Sequence, residues 1–213
     1  MSSDIPGPPR KLRRRPWIEA EFASLDFETT GLDPRRDAVV SFGVVPVRRG
    51  RVILAESVYR EVAPAVPLTA TSIVIHGIRP IDLRGAPAIA EARSELHAAL
   101  DGRYVLAWAA EVEADFLATV FSRRPANWLR RIVDVLRLAV LADRIDGSVR
   151  LSGDYALAAA AQRYGVPMER PHHALDDALT TAQLFLVLAT RLSKYGYGTP
   201  RRLLRASARP IPQ

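Results

Sequence analysis

Asp26 and Glu28 stand two residues apart at the end of the stretch Glu21-Phe22-Ala23-Ser24-Leu25-Asp26-Phe27. In an extended strand, positions i and i+2 point to the same side. Two carboxylates aimed at one point repel each other unless a cation lies between them. The Thr29-Thr30-Gly31 that follows reads as a turn and leaves both acids at the sheet's end, where open α/β sheets place their ligands. Alone, the pair also fits two solvated surface acids. A second constellation, Pro171-His172-His173-Ala174-Leu175-Asp176-Asp177-Ala178, opens a helix that is apolar on most faces. Asp177 falls after the first turn, where a buried carboxylate needs a partner and no lysine is nearby; a metal shared with Asp26 would satisfy it. Asp176 reads as a first-turn acid favoured by the helix dipole.

The elements that must position these acids follow from pattern. Glu21–Phe27 reads as a strand. Ala38–Val47 and Val52–Val62 are rich in Val and Ile, and Arg48-Arg49-Gly50-Arg51 joins them as a hairpin. The pattern then turns helical at Pro87–Leu100, extended at Tyr104–Ala109, and helical at Val112–Phe121. Arg131–Asp134 is a short strand leading into a helix through Leu141. Helices follow over Asp154–Tyr164, stopped by Gly165 and Pro167, and His173–Leu192. A three-strand antiparallel meander followed by strand–helix alternation predicts a mixed sheet with parallel strands, flanked by helices. One α/β domain over 21–194 accounts for this pattern, with basic tails at 1–20 and 195–213.

Nearly half of the 213 residues are apolar, which permits a sizeable core, and the absence of cysteine excludes disulfides and thiolate zinc sites. The formal charge is +7, carried by arginine: Lys11 and Lys194 are the only lysines. Such a balance fits a polyanionic partner, though Arg and Ala richness also fits a GC-rich genome. The longest apolar-rich stretch, 178–192, is broken by polar residues, and the basic run Arg10–Arg15 has no apolar segment after it. A cytoplasmic protein with no membrane partner is expected.

Ser24-Leu25-Asp26-Phe27-Glu28-Thr29-Thr30-Gly31 resembles the first motif of the DEDDh exonucleases, the family of the proofreading epsilon subunit of bacterial DNA polymerase III. His172-His173-Ala174-Leu175-Asp176-Asp177-Ala178 is similar to the third motif, and Ile75-His76-Gly77-Ile78 to the family's H-G-I segment. The resemblance covers roughly 22–192 and implies a ribonuclease-H-like fold. It also implies 3′→5′ hydrolysis of terminal phosphodiesters, releasing nucleoside 5′-monophosphates with two hard divalent cations, Mg²⁺ or Mn²⁺. The spacing of the third motif selects His172, on the loop before the helix, as the base, over His173 at i−4 from Asp177. Phe27, Thr29, Thr30, Ile75 and His76 fall on positions that would hold the terminal nucleotide. By its neighbours alone, Phe27 reads as a core residue on the strand's opposite face and His76 as a buried, satisfied histidine.

The middle motif departs from the family. Aligning Phe116-Leu117 on its aromatic–aliphatic pair puts the metal-binding aspartate position on Glu113, with Asp115 as competitor and Trp108 in place of a histidine. Helical phase favours Glu113, which shares a face with Phe116, Leu117 and Val120, whereas Asp115 lines up with Ala118, Thr119 and Ser122. The expected metal ligands are therefore Asp26, Glu28, Glu113 and Asp177. Glutamate is one methylene longer, so altered activity is implied. DNA 3′ ends are the expected substrate and a DNA polymerase a candidate partner, although no long C-terminal tether is evident and a stand-alone enzyme is favoured. An RNA or oligoribonucleotide exonuclease, and a nucleic-acid-binding domain weakened by the changed motif, are the alternatives.

Overall fold

The computed structural model describes residues 7–148 and 155–208. The outermost parts of both expected tails, and Asp154 at the start of one expected helix, lie outside them. Three strands open the fold: β1 (Glu21–Thr29), β2 (Val39–Arg48) and the short β3 (Arg51–Val52). β2 pairs antiparallel with β1 and, through the expected hairpin, with β3. Arg49 and Gly50 both have positive φ, 52° and 69°, which suits a tight two-residue turn between right-twisted strands.

The third strand of the meander is broken, unlike the continuous Val52–Val62 expected. Ile53 donates its N–H to the Pro46 carbonyl at 2.9 Å, but Pro46 has no N–H to return. The ladder stops there. The chain makes a 3₁₀ turn at Leu54–Glu56, and β4 (Val58–Glu61) resumes pairing along β2 from Val44 to Ser41. On the other side of β1, β5 (Tyr104–Ala107) and β6 (Ile132–Asp134) add in parallel, giving the order β3-β2-β1-β5-β6.

Five helices follow the expected pattern, α2 (Ile89–Leu100), α3 (Ala110–Val120), α5 (Val135–Ile145), α6 (Leu157–Tyr164) and α7 (Ala174–Ser193), and α4 (Pro125–Leu129) is an unexpected short one. Two more were not anticipated. α1 (Ala70–His76) is closed at its start by Thr69 and Ser72, whose side chains bond each other's backbone N–H. α8 (Pro200–Ser207) forms where a tail was expected. It buries Leu203 and packs on α5, β6 and the 3₁₀ turn Arg10–Arg14. Among the described residues no helix is long and apolar enough to cross a membrane.

The two faces of β1 carry different layers. Phe22 packs on Phe185 of α7, with ring centroids 4.6 Å apart, in the core that also holds α5 and α6. Ala23, Leu25 and Phe27 point the other way, into the core beneath α2 and α3. Period-two alternation therefore sends Ser24, Asp26 and Glu28 toward α7.

Candidate active site

Asp26 lies opposite Gly43 in the β1–β2 ladder. A Cβ on Gly43 would sit 2.4 Å from the carbonyl group of Ala174 and from the N of Leu175. Only glycine lets the first turn of α7 lie directly on β2. That approach brings Asp177 against the strand acids. Asp26, Glu28 and Asp177 each offer a carboxylate oxygen, and all three lie within 4.8 Å of one another. A β-bulge between Glu28 and Thr29 ends the regular ladder just past the acids.

Glu113 enters from the first turn of α3. It is buried beside Ala114, Phe116 and Leu117, as its helical phase required, whereas Asp115 is half-exposed near the outer loop residues Leu32 and Arg35. Glu113 is close enough to Asp26 to raise its pKa, and the charge of Glu28 in turn raises that of Glu113. One oxygen of Glu113 and one of Asp177 are buried without a hydrogen-bond partner.

The electrostatics follow from this crowding. Burial, then the charges of Glu113, Glu28 and Asp177, hold the Asp26 carboxyl well above its ordinary range. Burial and then Asp177 push Glu28 up to about 8; burial pushes Glu113 to about 8 and Asp177 to about 6. Four acids packed together are costly unless cations offset their mutual repulsion. The orphaned oxygens of Glu113 and Asp177 and the all-oxygen donor set fit hard divalent cations.

His172 is exposed on the loop before α7, with φ 62°, a left-handed conformation that histidine adopts more often than most residues. Its backbone N–H donates to Asp177 at 3.1 Å, and its ring lies near enough to interact with both Asp177 and His76. His173 is directed elsewhere. It stacks on Tyr59 at 4.6 Å and places Nδ1 3.3 Å from Asp176, which also pairs with Arg170. His76 ends α1, and its Nδ1 accepts the Ile78 N–H at 3.0 Å. Burial and the neighbouring His172 lower its pKa. α1 carries exposed Val74 and Ile75, and Thr69 at its start reaches the Thr30 carbonyl at the end of β1.

The side chains of two expected substrate contacts point away from the acids. Phe27 is a core residue that packs near Phe116 on the face opposite the acids. The Thr30 side chain is buried; its hydroxyl donates to Asp37 and accepts from the Ala38 N–H, so it fastens the loop rather than facing a ligand. The Thr29 hydroxyl donates to the Gly31 carbonyl at 2.6 Å.

One important acid escaped the sequence reading. Asp134 ends β6 and accepts N–H groups from Ala110, opening α3, and from Arg137, opening α5. It thereby fixes the turn that carries Glu113 and contributes to that residue's raised pKa. Burial lifts Asp134 itself to about 6. An acid at a strand–helix junction, between Val133 and Val135, was the available signal.

A mixed sheet with carboxylates gathered where its central strand ends, beneath a loop histidine, defines a ribonuclease-H-like nuclease architecture. The exonuclease (RNase T) family model matches residues 24–185, and the chain belongs to that family. A DNA polymerase III subunit epsilon-like protein of Rhodobacter capsulatus is 32% identical over 192 residues, 88% of this chain and 26% of that protein. The PolC-type DNA polymerase III of Thermotoga petrophila is 30% identical over 178 residues, 83% of this chain and 12% of the polymerase. This chain therefore spans about a quarter of the first of these relatives and about an eighth of the second. Among solved structures, E. coli Exonuclease I with a dT13 oligonucleotide aligns with a TM-score of 0.70 at 20% identity, over 83% of this chain and 42% of that one. Exonuclease X in complex with 5′ overhanging duplex DNA aligns with a TM-score of 0.64 at 19% identity, over 88% of this chain and 99% of that one. The domain is thus an exonuclease domain.

Proposed function

We propose that this chain removes nucleoside 5′-monophosphates from DNA 3′ ends, with Asp26, Glu28, Glu113 and Asp177 holding two magnesium or manganese ions. The convergence of Asp26, Glu28 and Asp177 within 4.8 Å, with Glu113 close enough to raise the pKa of Asp26, carries the reading. When bound, divalent cations supply Lewis-acid activation of water and neutralise charge on the phosphate. His172, exposed on its loop and tied through its backbone to Asp177, accepts the proton of the attacking water. Ile75, on the exposed side of α1, provides an apolar platform for the terminal base, which suits a sequence-tolerant enzyme. His76 lies beside that platform, toward His172. The polymerase relatives support a DNA substrate and a polymerase partner, and such work belongs in the cytoplasm.

The test is release of nucleotide from 3′-labelled DNA and RNA strands of matched sequence with magnesium, manganese or chelator. Faster release from DNA, identified as 5′-monophosphate and abolished by Asp26→Ala, is the expected result. Preference for RNA would replace the substrate assignment. An inert wild-type chain that still binds the strand would replace the enzyme with a binding domain.

A further inference from the structure

A second charged surface lies at the other end of the sheet. The turn Arg10–Arg14 packs on α8, with Leu12 half-buried against the core and Leu203 fully buried, so both segments turn their basic residues outward. Among the described residues, a cavity of about 420 Å³ between them is walled by Arg10, Lys11, Arg13, Arg14, Arg201 and Arg205. Four of these also line an adjoining cavity of about 590 Å³ whose floor includes Tyr104 and Leu204. No ion pair neutralises any of the six among the described residues. Repulsion from Arg205, followed by burial and the charges of Arg14, Arg13 and Arg202, lowers the pKa of Arg201. Like charges held together by an apolar anchor are unfavourable unless a polyanion joins them.

We propose that this surface binds the sugar-phosphate backbone of a nucleic acid strand away from its reacting 3′ end. The inference rests on the exonuclease reading for the identity of the polyanion. Tyr104, on the cavity floor, pairs level with Phe22, six residues before Glu28 along β1. At about 3.3 Å per strand residue the two surfaces are roughly 20 Å apart along the sheet. That is the length of about six nucleotides at the 3.4 Å rise of a base-paired strand, and of fewer in an extended single strand. A strand of a dozen or more nucleotides can engage both, whereas a trinucleotide reaches only the acids. Because phosphates are read, DNA and RNA bind this surface alike.

Fluorescence anisotropy of a 20-nucleotide oligodeoxythymidine in chelator reads binding without hydrolysis. The variant Arg13→Ala/Arg201→Ala/Arg205→Ala is expected to bind at least tenfold more weakly. Its log–log salt slope should be shallower by about 2, three lost phosphate contacts at about 0.7 each. Its hydrolysis of a trinucleotide with metal should be unchanged. In the wild-type chain, bound oligonucleotide should shield Lys11 from acylation more than Lys194, which lines neither cavity; this readout serves if the variant folds poorly. Unchanged affinity and slope, or no protection of Lys11, overturns the proposal. Tighter binding of a glutamate-rich peptide of equal charge would reassign the surface to an acidic protein. Arginine-dependent binding in a chain that hydrolyses nothing would sink the exonuclease reading and leave the surface standing.

Discussion

Glu28→Gln separates the cost of gathering acids from the chemistry they perform. A carboxyl whose native pKa is raised holds its proton more tightly when folded, so its penalty is absent below the ordinary value near 4.5 and grows as pH rises toward about 8. For Glu28 alone the penalty at pH 8 is about 4 kcal/mol, and sharing of protons among the neighbouring acids reduces it to about 2. At pH 5 it is about 1 kcal/mol or less. A chain of this length changes Tm by roughly 2–4 °C per kcal/mol. In chelator, the glutamine variant is therefore expected to melt about 4–8 °C above the wild type at pH 8, with a much smaller gap at pH 5. Magnesium at about a hundred times its Kd should raise the wild type by close to 3 kcal/mol and the variant by less, closing or reversing the gap. Scanning calorimetry at both pH values, with chelator and with magnesium, reads all four conditions. If the wild type melts above the variant in chelator at pH 8, or the gap ignores pH, the acids are not crowded as described.

Gly43→Ala should push α7 off β2. Urea titration should report a loss of about 1–3 kcal/mol, and single-turnover hydrolysis should slow about a hundredfold as Asp177 withdraws. Glu113→Gln should cost at least a hundredfold in kcat, while Asp115→Asn on the half-exposed side of α3 should stay within threefold; reversal of that order would move the fourth ligand to Asp115. His172→Ala should lower kcat by about 10²–10⁴ with little change in oligonucleotide affinity, whereas His173→Ala should act on stability through its Tyr59 stack. Matched rates for the two alanine variants would remove His172 as base.

What the sequence made legible were positions governed by a period. Asp26 and Glu28 share a face because strands alternate, and Glu113 points inward because it keeps step with Phe116 and Leu117. Asp177 was marked by an acid set in an otherwise apolar helix. What stayed hidden were matters of three-dimensional contact. Nothing local distinguishes Gly43 from any strand glycine; its meaning lies in the backbone of Ala174, far along the chain. Asp134 caps two helices that are not neighbours in sequence. α1 was missed because Ile73-Val74-Ile75 is β-branched and exposes Val74 and Ile75 instead of presenting a buried stripe. In α8, arginines conceal a short inward face of Pro200, Leu203 and Ser207. Thr29 and Thr30 sat at motif positions, but their hydroxyls are engaged by the loop that follows.

The notch that Pro46 cuts into the meander also bears on how copies of this domain behave beside one another. One rim of the sheet is divided into fragments of two and four residues, separated by a helical turn and studded with Arg51 and Arg60. The opposite rim, β6, is three residues long and has α8 laid against it. Among the described residues neither margin offers a long, flat row of free amides on which another molecule could stack, so the fold resists rim-to-rim aggregation.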